Sequence, residues 1–423
     1  MPRIRSGVIA VLDIGSSKIC CFIAQVTADN SLRVIGIGHQ LSQGIRAGSI
    51  ADIKQAEHSI IAAVSAAEKM ADETIDKVVL CTSGGGPSST KITAEVEIHN
   101  PQVSPRDIKR AIIQAKEAFA DENRRIIHAV PVSFAVDDIR GVDDPVGMAG
   151  KKLTAEIHLI TVSESAIRNI ANCVTNCELE IQDYVVSSHA AGLTCLTEDE
   201  RELGVTLIEM GGGTTGISVF MHGKNILTDS IPYGGINVTS DIARGFATTK
   251  EYSERIKNLY GGAISSGTDG DTLIDIQQLS EETGDYTEEV AVPKSDLVNI
   301  IQPRMEEIFE MIKKKLANTG TTQIAGQHYV LSGGASQLVG VRELASKTLG
   351  GHVRLGRPDL IEGMADSTAN PAFSACAGLI NYISMNYHVY DKVVPVDRYI
   401  QNTRFVGGGS LVDNVVGWIK KNF

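Results

Sequence analysis

The sequence predicts a mixed α/β chain built from two related halves, each turning on a glycine-rich hairpin. Three observations carry this reading. An apolar strand that ends in an acid, a Gly-rich turn and a second strand occur twice, in LDIGSSKI (12–19) and in GVTLIEMGGGTTGISVFMHG (204–223). Asp13 and Glu209 hold the same place in the two copies, a repeat far too long for a solenoid. Between the copies, β-branched runs alternate with segments of helical period, the pattern of layered α/β domains.

Taken in order, the first 40 residues read as Val8 to Leu12, the polar turn DIGSSK, Ile19 to Val26, a turn at Asp29-Asn30, and a third strand from Leu32 to Gly38. Asp52 to Ala71 places Ile53, Ala56, Ile60, Ala63, Val64 and Ala67 at helical spacing. Val78 to Thr82 is a short strand, and SGGGP after it marks a boundary. Residues 84–162 read as an insertion: a polar strand (Ile92 to Ile98), a helix opened by Ser104-Pro105 (Arg106 to Ala120), and strands around His128 to Asp137 and Leu153 to Thr161. Helix (Ser163 to Cys177), strand (Asp183 to Ser187) and helix (Ala190 to Leu196) return to the first half. After the second copy, 262–292 is polar and acidic and reads as loop and hairpin. Lys294 to Asn318 is a long helix with Leu297, Ile300, Ile301, Met305, Ile308, Met311 and Ile312 on one face.

Composition narrows the function. The 423 residues are 43 % hydrophobic and 21 % charged, a globular mix. A net charge of −12 argues against nucleic acid as the main partner. No stretch approaches the ~18 apolar residues of a membrane span, and the run VIAVL stops at Asp13 with no cleavage signal after it, so a cytosolic chain is expected. Seven cysteines, none in a CxxC pair or a Cys/His cluster, predict buried reduced thiols.

The chemistry lies in three turns. In the first, Asp13, Gly15, Ser16, Ser17 and Lys18 offer backbone N–H groups and hydroxyls to phosphate oxygens, with Asp13 able to hold Mg²⁺ through water. Glu209, Gly211, Gly212, Gly213, Thr214 and Thr215 offer the same from the other half. The third, LSGGASQLVGV (331–341), is an apolar strand, Gly333-Gly334-Ala335 and a helix start, flat enough to lie against a purine or sugar. One such turn alone is more often a tight turn needing φ > 0. Three in this order are a sharper signal, and none matches GxxxxGK[ST] or GxGxxG.

At these residues the chain resembles the superfamily of actin, the sugar kinases and the DnaK-type chaperones. The resemblance makes the three turns the first phosphate, second phosphate and adenosine loops of an actin-like ATPase fold. It also makes Glu254 and Lys257 in SERIKNLYG the pair flanking adenosine; read without it, they are an i,i+3 salt bridge on an exposed face. NPAFSACAGLINY (370–382) is similar to the second interdomain connecting helix. Within the superfamily the chain resembles the FtsA family over nearly its whole length. DENRRIIHAVPVSFAVDD (121–138) and DPVGMAGKKLTAEIHLIT (144–161) matter most, because they resemble the subdomain that FtsA carries in place of actin's 1B lobe. IPYGGINVTSDIA (231–243) and IIQPRMEEIFEMI (300–312) extend the match.

The resemblance implies subdomain 1A at 1–83, 163–197 and 371–390, subdomain 1C at 84–162, subdomain 2A at 198–240 and 305–370, and subdomain 2B at 241–304. A flexible linker (391–409) and an amphipathic segment (410–423) follow. It implies ATP and Mg²⁺, the metal held through water by Asp13 and Glu209. It also implies head-to-tail self-assembly on the cytoplasmic face of the inner membrane at the division septum, the C-terminal peptide of FtsZ as a partner, and other division proteins. Arg304 and Lys294 are candidates for meeting that acidic peptide; solvated surface charges are the plainer reading. Two departures stand out. The second phosphate loop carries Glu209 where the family usually has Asp, and VVSSHAAGL (185–193) shows Ser187 and Ser188 where actin and the chaperones have Gln or Glu. His189 nearby reads as a capping or packing residue. Binding with weak or absent hydrolysis is therefore expected.

SLVDNVVGWIKKNF (410–423) gathers Leu411, Val412, Val415, Val416, Trp418, Ile419 and Phe423 on an arc of about 160° at ~100° per residue. Lys420 and Lys421 lie on the opposite side, so the segment fits a helix lying in a lipid interface, weak alone and strengthened by assembly. Docking on the protein's own core is the alternative. Two rival functions remain open at this stage: a small-molecule kinase of the superfamily, and a PilM-like pilus assembly adaptor.

Overall fold

The computed structural model describes residues 8–27, 31–278, 288–321 and 326–389. The linker at 391–409, the amphipathic segment 410–423 and the turn at Asp29-Asn30 lie outside them.

In the first half, β1 (Val8–Ile14) pairs antiparallel with β2 (Lys18–Val26), which pairs antiparallel with β3 (Leu32–Leu41). Two short strands, β4 (Ile45–Arg46) and β5 (Ser49–Ile50), lead to α1 (Ile53–Ala71). Asp52 caps that helix by accepting from the N–H of Gln55. Its face of Ala56, Ile60, Ala63, Val64 and Ala67 is buried, but Ile53, expected on that face, is half exposed at the first helical position. β6 (Lys77–Thr82) lies parallel to β1.

The insertion follows as β7 (Ser88–Glu97), α2 (Pro105–Ala118), β8 (Arg124–Val136), β9 (Ile139–Val142) and β10 (Lys152–Ser163), a sheet in the order β7-β10-β8-β9. Its own core includes Ala111, Ala115, Phe134, Leu153 and Ile157. The chain returns through α3 (Glu164–Asn176), β11 (Glu180–Val186) and α4 (Ser187–Cys195). Ser187, expected to end the strand, instead opens the helix, three residues before the expected start at Ala190.

The second half holds α5 (Glu198–Leu203), β12 (Val205–Met210), β13 (Thr215–Met221), β14 (Lys224–Ile231), α6 (Gly235–Gly245), α7 (Lys250–Tyr260), β15 (Leu273–Gln278), β16 (Glu288–Pro293), α8 (Lys294–Thr319), β17 (His328–Ser332), α9 (Val341–Leu349) and β18 (His352–Leu355). α8 buries Val298 and Phe309 beyond the expected face, and it runs unbroken across 304/305 with Pro303 inside. α10 (Ser374–Val389) then packs back onto the first half, where Cys376, Leu379 and Ile380 share a core with Val11 and Phe22.

The halves have one topology. The first sheet is ordered β11-β6-β1-β2-β3 and the second β18-β17-β12-β13-β14, each an antiparallel meander joined to two parallel strands. Asp13 and Glu209 thus stand near the ends of the matching strands β1 and β12. α4 and α10 cross between the halves so closely that a Cβ on Gly378 would fall 1.8 Å from the carbonyl oxygen of Ala190. All seven cysteines are free and six are buried, and no helix among the described residues is long and apolar enough to cross a membrane.

Candidate functional site

The two Gly-rich turns are closed by the same bond. The N–H of Gly15 donates to the carbonyl of Lys18 at 3.0 Å, and that of Gly211 to the carbonyl of Thr214 at 2.9 Å. The tips face one another across the halves. A Cβ on Gly212 would lie 2.6 Å from Ser17 Oγ, and one on Gly213 2.6 Å from Ser16 Oγ, so only glycine fits as the tips stand. The backbone N–H groups of Ser16, Ser17, Gly212 and Gly213 find no acceptor among the described residues. Four free donors on two opposed turns form an anion-binding concavity. A phosphate chain fits this donor set once the touching tips move apart.

Beneath the tips sit two carboxyls that keep only a narrow opening to the cleft. Burial lifts Asp13 from 3.8 to about 6, against the lowering charge of Lys18. Burial lifts Glu209 from 4.5 to about 7; a hydrogen bond from Ser187 opposes the rise and the charge of Asp13 adds to it. Paired acids of raised pKa, one from each half, are what a divalent cation or its hydration shell would discharge. They therefore suit Mg²⁺ held through water.

Lys18 does not reach back to the hairpin tip. Its Nζ donates to the carbonyl of Ala372 at 2.5 Å and lies 3.4 Å from the centre of the Phe373 ring, a cation–π contact. Ala372 in turn borders Gly334, and the N–H of Gly333 donates to the carbonyl of Pro371. The third turn itself departs from expectation. Gly333 has φ 83°, residues Gly334–Gln337 form a 3-10 turn, and the α-helix begins only at Val341. Ser336 Oγ bonds back to the Gly333 carbonyl and tightens this turn.

Glu254 and Lys257 form the 2.6 Å ion pair that their spacing allows, with Lys257 largely buried. Lys257 Nζ also donates to Thr239 Oγ1 at 2.9 Å and to the carbonyl of Gly235 at 3.3 Å. Burial pushes Glu254 up, but the charge and bonds of Lys257, Thr239 and Asn258 hold it below the ordinary range. A Cβ on Gly235 would lie 3.4 Å from that of Ala335 and 3.5 Å from Lys257 Nζ, so the pair and the third turn meet at one place.

The start of α6 is a further part of the site, with no role expected for it from the sequence. There the N–H groups of Gly235 and Ile236 donate to the carbonyls of Gly211 and Gly212 and hold the second hairpin from behind. Thr215 Oγ1 adds a bond to the carbonyl of Tyr233, and the N–H of Gly48 steadies Ser16 Oγ. The adjacent glycines of IPYGGINV were the available signal. His189 is turned away from the hairpins: it is packed against Phe220 and His128, bonded to Asn225, and held neutral by burial.

Both partner candidates are engaged within the chain. Arg304 makes a forked pair with Asp241 at 2.6 and 3.2 Å and a further contact with Glu307. Lys294 pairs at 2.9 Å with the buried Asp269. The residues assigned to lipid contact, 411–423, lie outside the described residues.

The family model for "Cell division protein FtsA" matches residues 206–378, and that for "SHS2 domain inserted in FTSA" matches 84–161. The cell division protein FtsA of Agrobacterium fabrum is 35 % identical over 99 % of this chain and 96 % of its own length. Among solved structures, the PilM–PilN type IV pilus biogenesis complex aligns at TM-score 0.62 with 15 % identity, over 90 % of this chain and 98 % of that one. MreB5 of Spiroplasma citri bound to AMPPNP aligns at 0.56 with 14 % identity, over 92 % and 99 %. The fold is thus the actin-like two-lobed α/β fold, here with an inserted SHS2 domain.

Proposed function

Because this chain belongs to the FtsA family of cell division proteins, we propose that it binds ATP with Mg²⁺ between its two glycine-rich hairpins and works as a membrane-bound scaffold of the division ring. The observation that carries the reading is the meeting of two hairpins of identical closure, one from each half, with four free N–H donors and a raised-pKa acid beneath each tip. The bound nucleotide would supply a polyanion and a cation that cross-link the halves. Ser16, Ser17, Gly212 and Gly213 donate to it, Asp13 and Glu209 hold the hydrated metal, and Ala335 with the Glu254–Lys257 pair flanks the base and ribose. Ser187 and Ser188 place hydroxyls, not a carboxylate, beside Glu209, which supports slow or negligible hydrolysis.

Fixing the angle between the halves would gate head-to-tail assembly, a contact that builds filaments rather than closed rings. The amphipathic segments of many protomers would then hold the filament on the cytoplasmic face of the inner membrane at the septum, with FtsZ and other division proteins as partners. Calorimetric titration of the full chain with ATP and Mg²⁺ tests the first part: heat of binding that weakens in Asp13→Asn is expected, and no heat overturns it. Sedimentation with anionic vesicles tests the second, because a chain ending at 409 should stay in solution while the full chain pellets. Equal pelleting of both would remove the tether.

A further inference from the structure

The inserted subdomain touches both halves by different means. Toward the first half its Ile127, Ile160 and Val162 are buried in that half's own apolar core. Toward the second half it rests on β14, the outer strand of that sheet, mostly through polar contacts. Ser89 Oγ accepts from the N–H of Thr228 at 2.6 Å, and its one proton faces two acceptors, the Thr228 carbonyl at 2.7 Å and His158 Nε2 at 2.6 Å. His158 Nδ1 lies 2.8 Å from the carbonyl of Asn225, which only accepts, so Nδ1 carries the proton of the neutral ring. Lys224 Nζ donates to the carbonyl of Val132 at 3.0 Å and faces Asp143 at 3.5 Å. Val132 adds the apolar part of this seat.

An apolar anchor on one side and a polar seat on the other is the arrangement of a strap. Burying alkyl groups is costly to undo, whereas hydrogen bonds exchange for bonds to water at a small net cost. The seat also continues toward the cleft. Thr228 Oγ1 lies 3.3 Å from Ser218 Oγ, which donates to Ser188 Oγ at 2.9 Å, next to the Ser187 that bonds Glu209. Because the hairpin tips touch, a phosphate chain enters or leaves only when the halves part, and β14 then moves relative to the insert.

We propose that the inserted subdomain is a strap, anchored in the first half and latched on β14 of the second, which must release β14 for the cleft to open. Its role in nucleotide exchange rests on the ATP reading above; the latch itself does not.

Interlobe distances from spin labels test it directly, on the exposed Leu41→Cys and Leu259→Cys in a Cys177→Ser full chain without nucleotide. Ser89→Ala and Lys224→Met should each raise the population of long distances about tenfold, the effect of losing two neutral hydrogen bonds at Ser89 or one charge-assisted bond at Lys224. Lys152→Met, which removes only an exposed pair within the insert, should change nothing. If Ser89→Ala fails to fold, Lys224→Met decides. Distributions of the folded latch variants that superimpose on the parent overturn the strap. Fluorescent ATP should also leave the latch variants about tenfold faster. Should the parent bind no ATP, the nucleotide reading falls while the distances still judge the latch.

Discussion

Asp13→Asn should make the protein more stable without ligand and less able to gain stability from one. Raising a carboxyl from 3.8 to about 6 corresponds to about 3 kcal/mol of disfavoured ionisation at 1.36 kcal/mol per pKa unit. A raised pKa means that the folded state holds the proton longer than the unfolded chain does. The neutral acid's contribution is therefore intact below about pH 4, and stability falls as pH rises through 6. At pH 8 both Asp13 and Glu209 are ionised side by side, and an amide at 13 removes one charge and eases the other. That shift already includes the opposing charge of Lys18, so an amide that mimics the neutral acid should recover ~3 kcal/mol. With unfolding entropy near 2.1 cal/mol/K per residue, that is roughly a 3 °C higher melting temperature for this chain. Scanning calorimetry at pH 8 and pH 5 checks the sign: the gain should be full at pH 8 and about half as large at pH 5, where the folded protein holds Asp13 neutral while the unfolded chain ionises it, vanishing only below about pH 4. ATP with Mg²⁺ at a thousand times its dissociation constant should add ~4.1 kcal/mol to the parent and far less to the variant, reversing their order. A variant destabilised equally at both pH values would refute the argument that burial of charge, and not packing, governs this position.

Three further outcomes follow from the same reasoning. In the Asp13→Asn chain, melting temperature should fall as pH drops from 6.5 toward 4, because burial holds His128 to about 3, His158 to about 4 and His189 well down, so the unfolded chain takes up protons first. A flat profile in that window would remove the histidines from the account. Gly378→Ala should cost about 3 kcal/mol in denaturant titration by forcing α4 and α10 apart, while Gly270→Ala, with open space around its Cβ, should cost almost nothing. Arg304→Ala should weaken binding of an FtsZ C-terminal peptide less than it lowers stability, since the guanidinium is held by Asp241; peptide affinity that falls at unchanged melting temperature would mark it as a direct contact.

What could be read from the sequence was whatever depends on local pattern. The doubled strand–acid–turn–strand unit was visible because its constraint is local: a hairpin tip needs small residues, and an acid at the strand end needs no distant partner to be noticed. The face of α1 was legible for the same reason, and Ile53 escaped it only because a first-turn position points past the core. What stayed hidden depends on residues far apart in the chain. Lys18 reads as a phosphate ligand by its place in DIGSSK, yet its amine ends on Ala372 and Phe373, more than 350 positions away. The span of the insertion was evident from its composition and resemblance, but its seat on β14 was not, because Ser89, His158 and Thr228 are ordinary residues until the fold joins them. The displaced helix start at Ser187 belongs with these. A β-branched run predicts strand up to that point, and it is the bond from Ser187 to Glu209, a contact between halves, that makes its position matter. The same division separates chemistry from control. The groups suited to a phosphate chain are local and came from pattern, while the parts that set when the halves separate, the α4–α10 crossing and the polar seat on β14, exist only once both halves are folded.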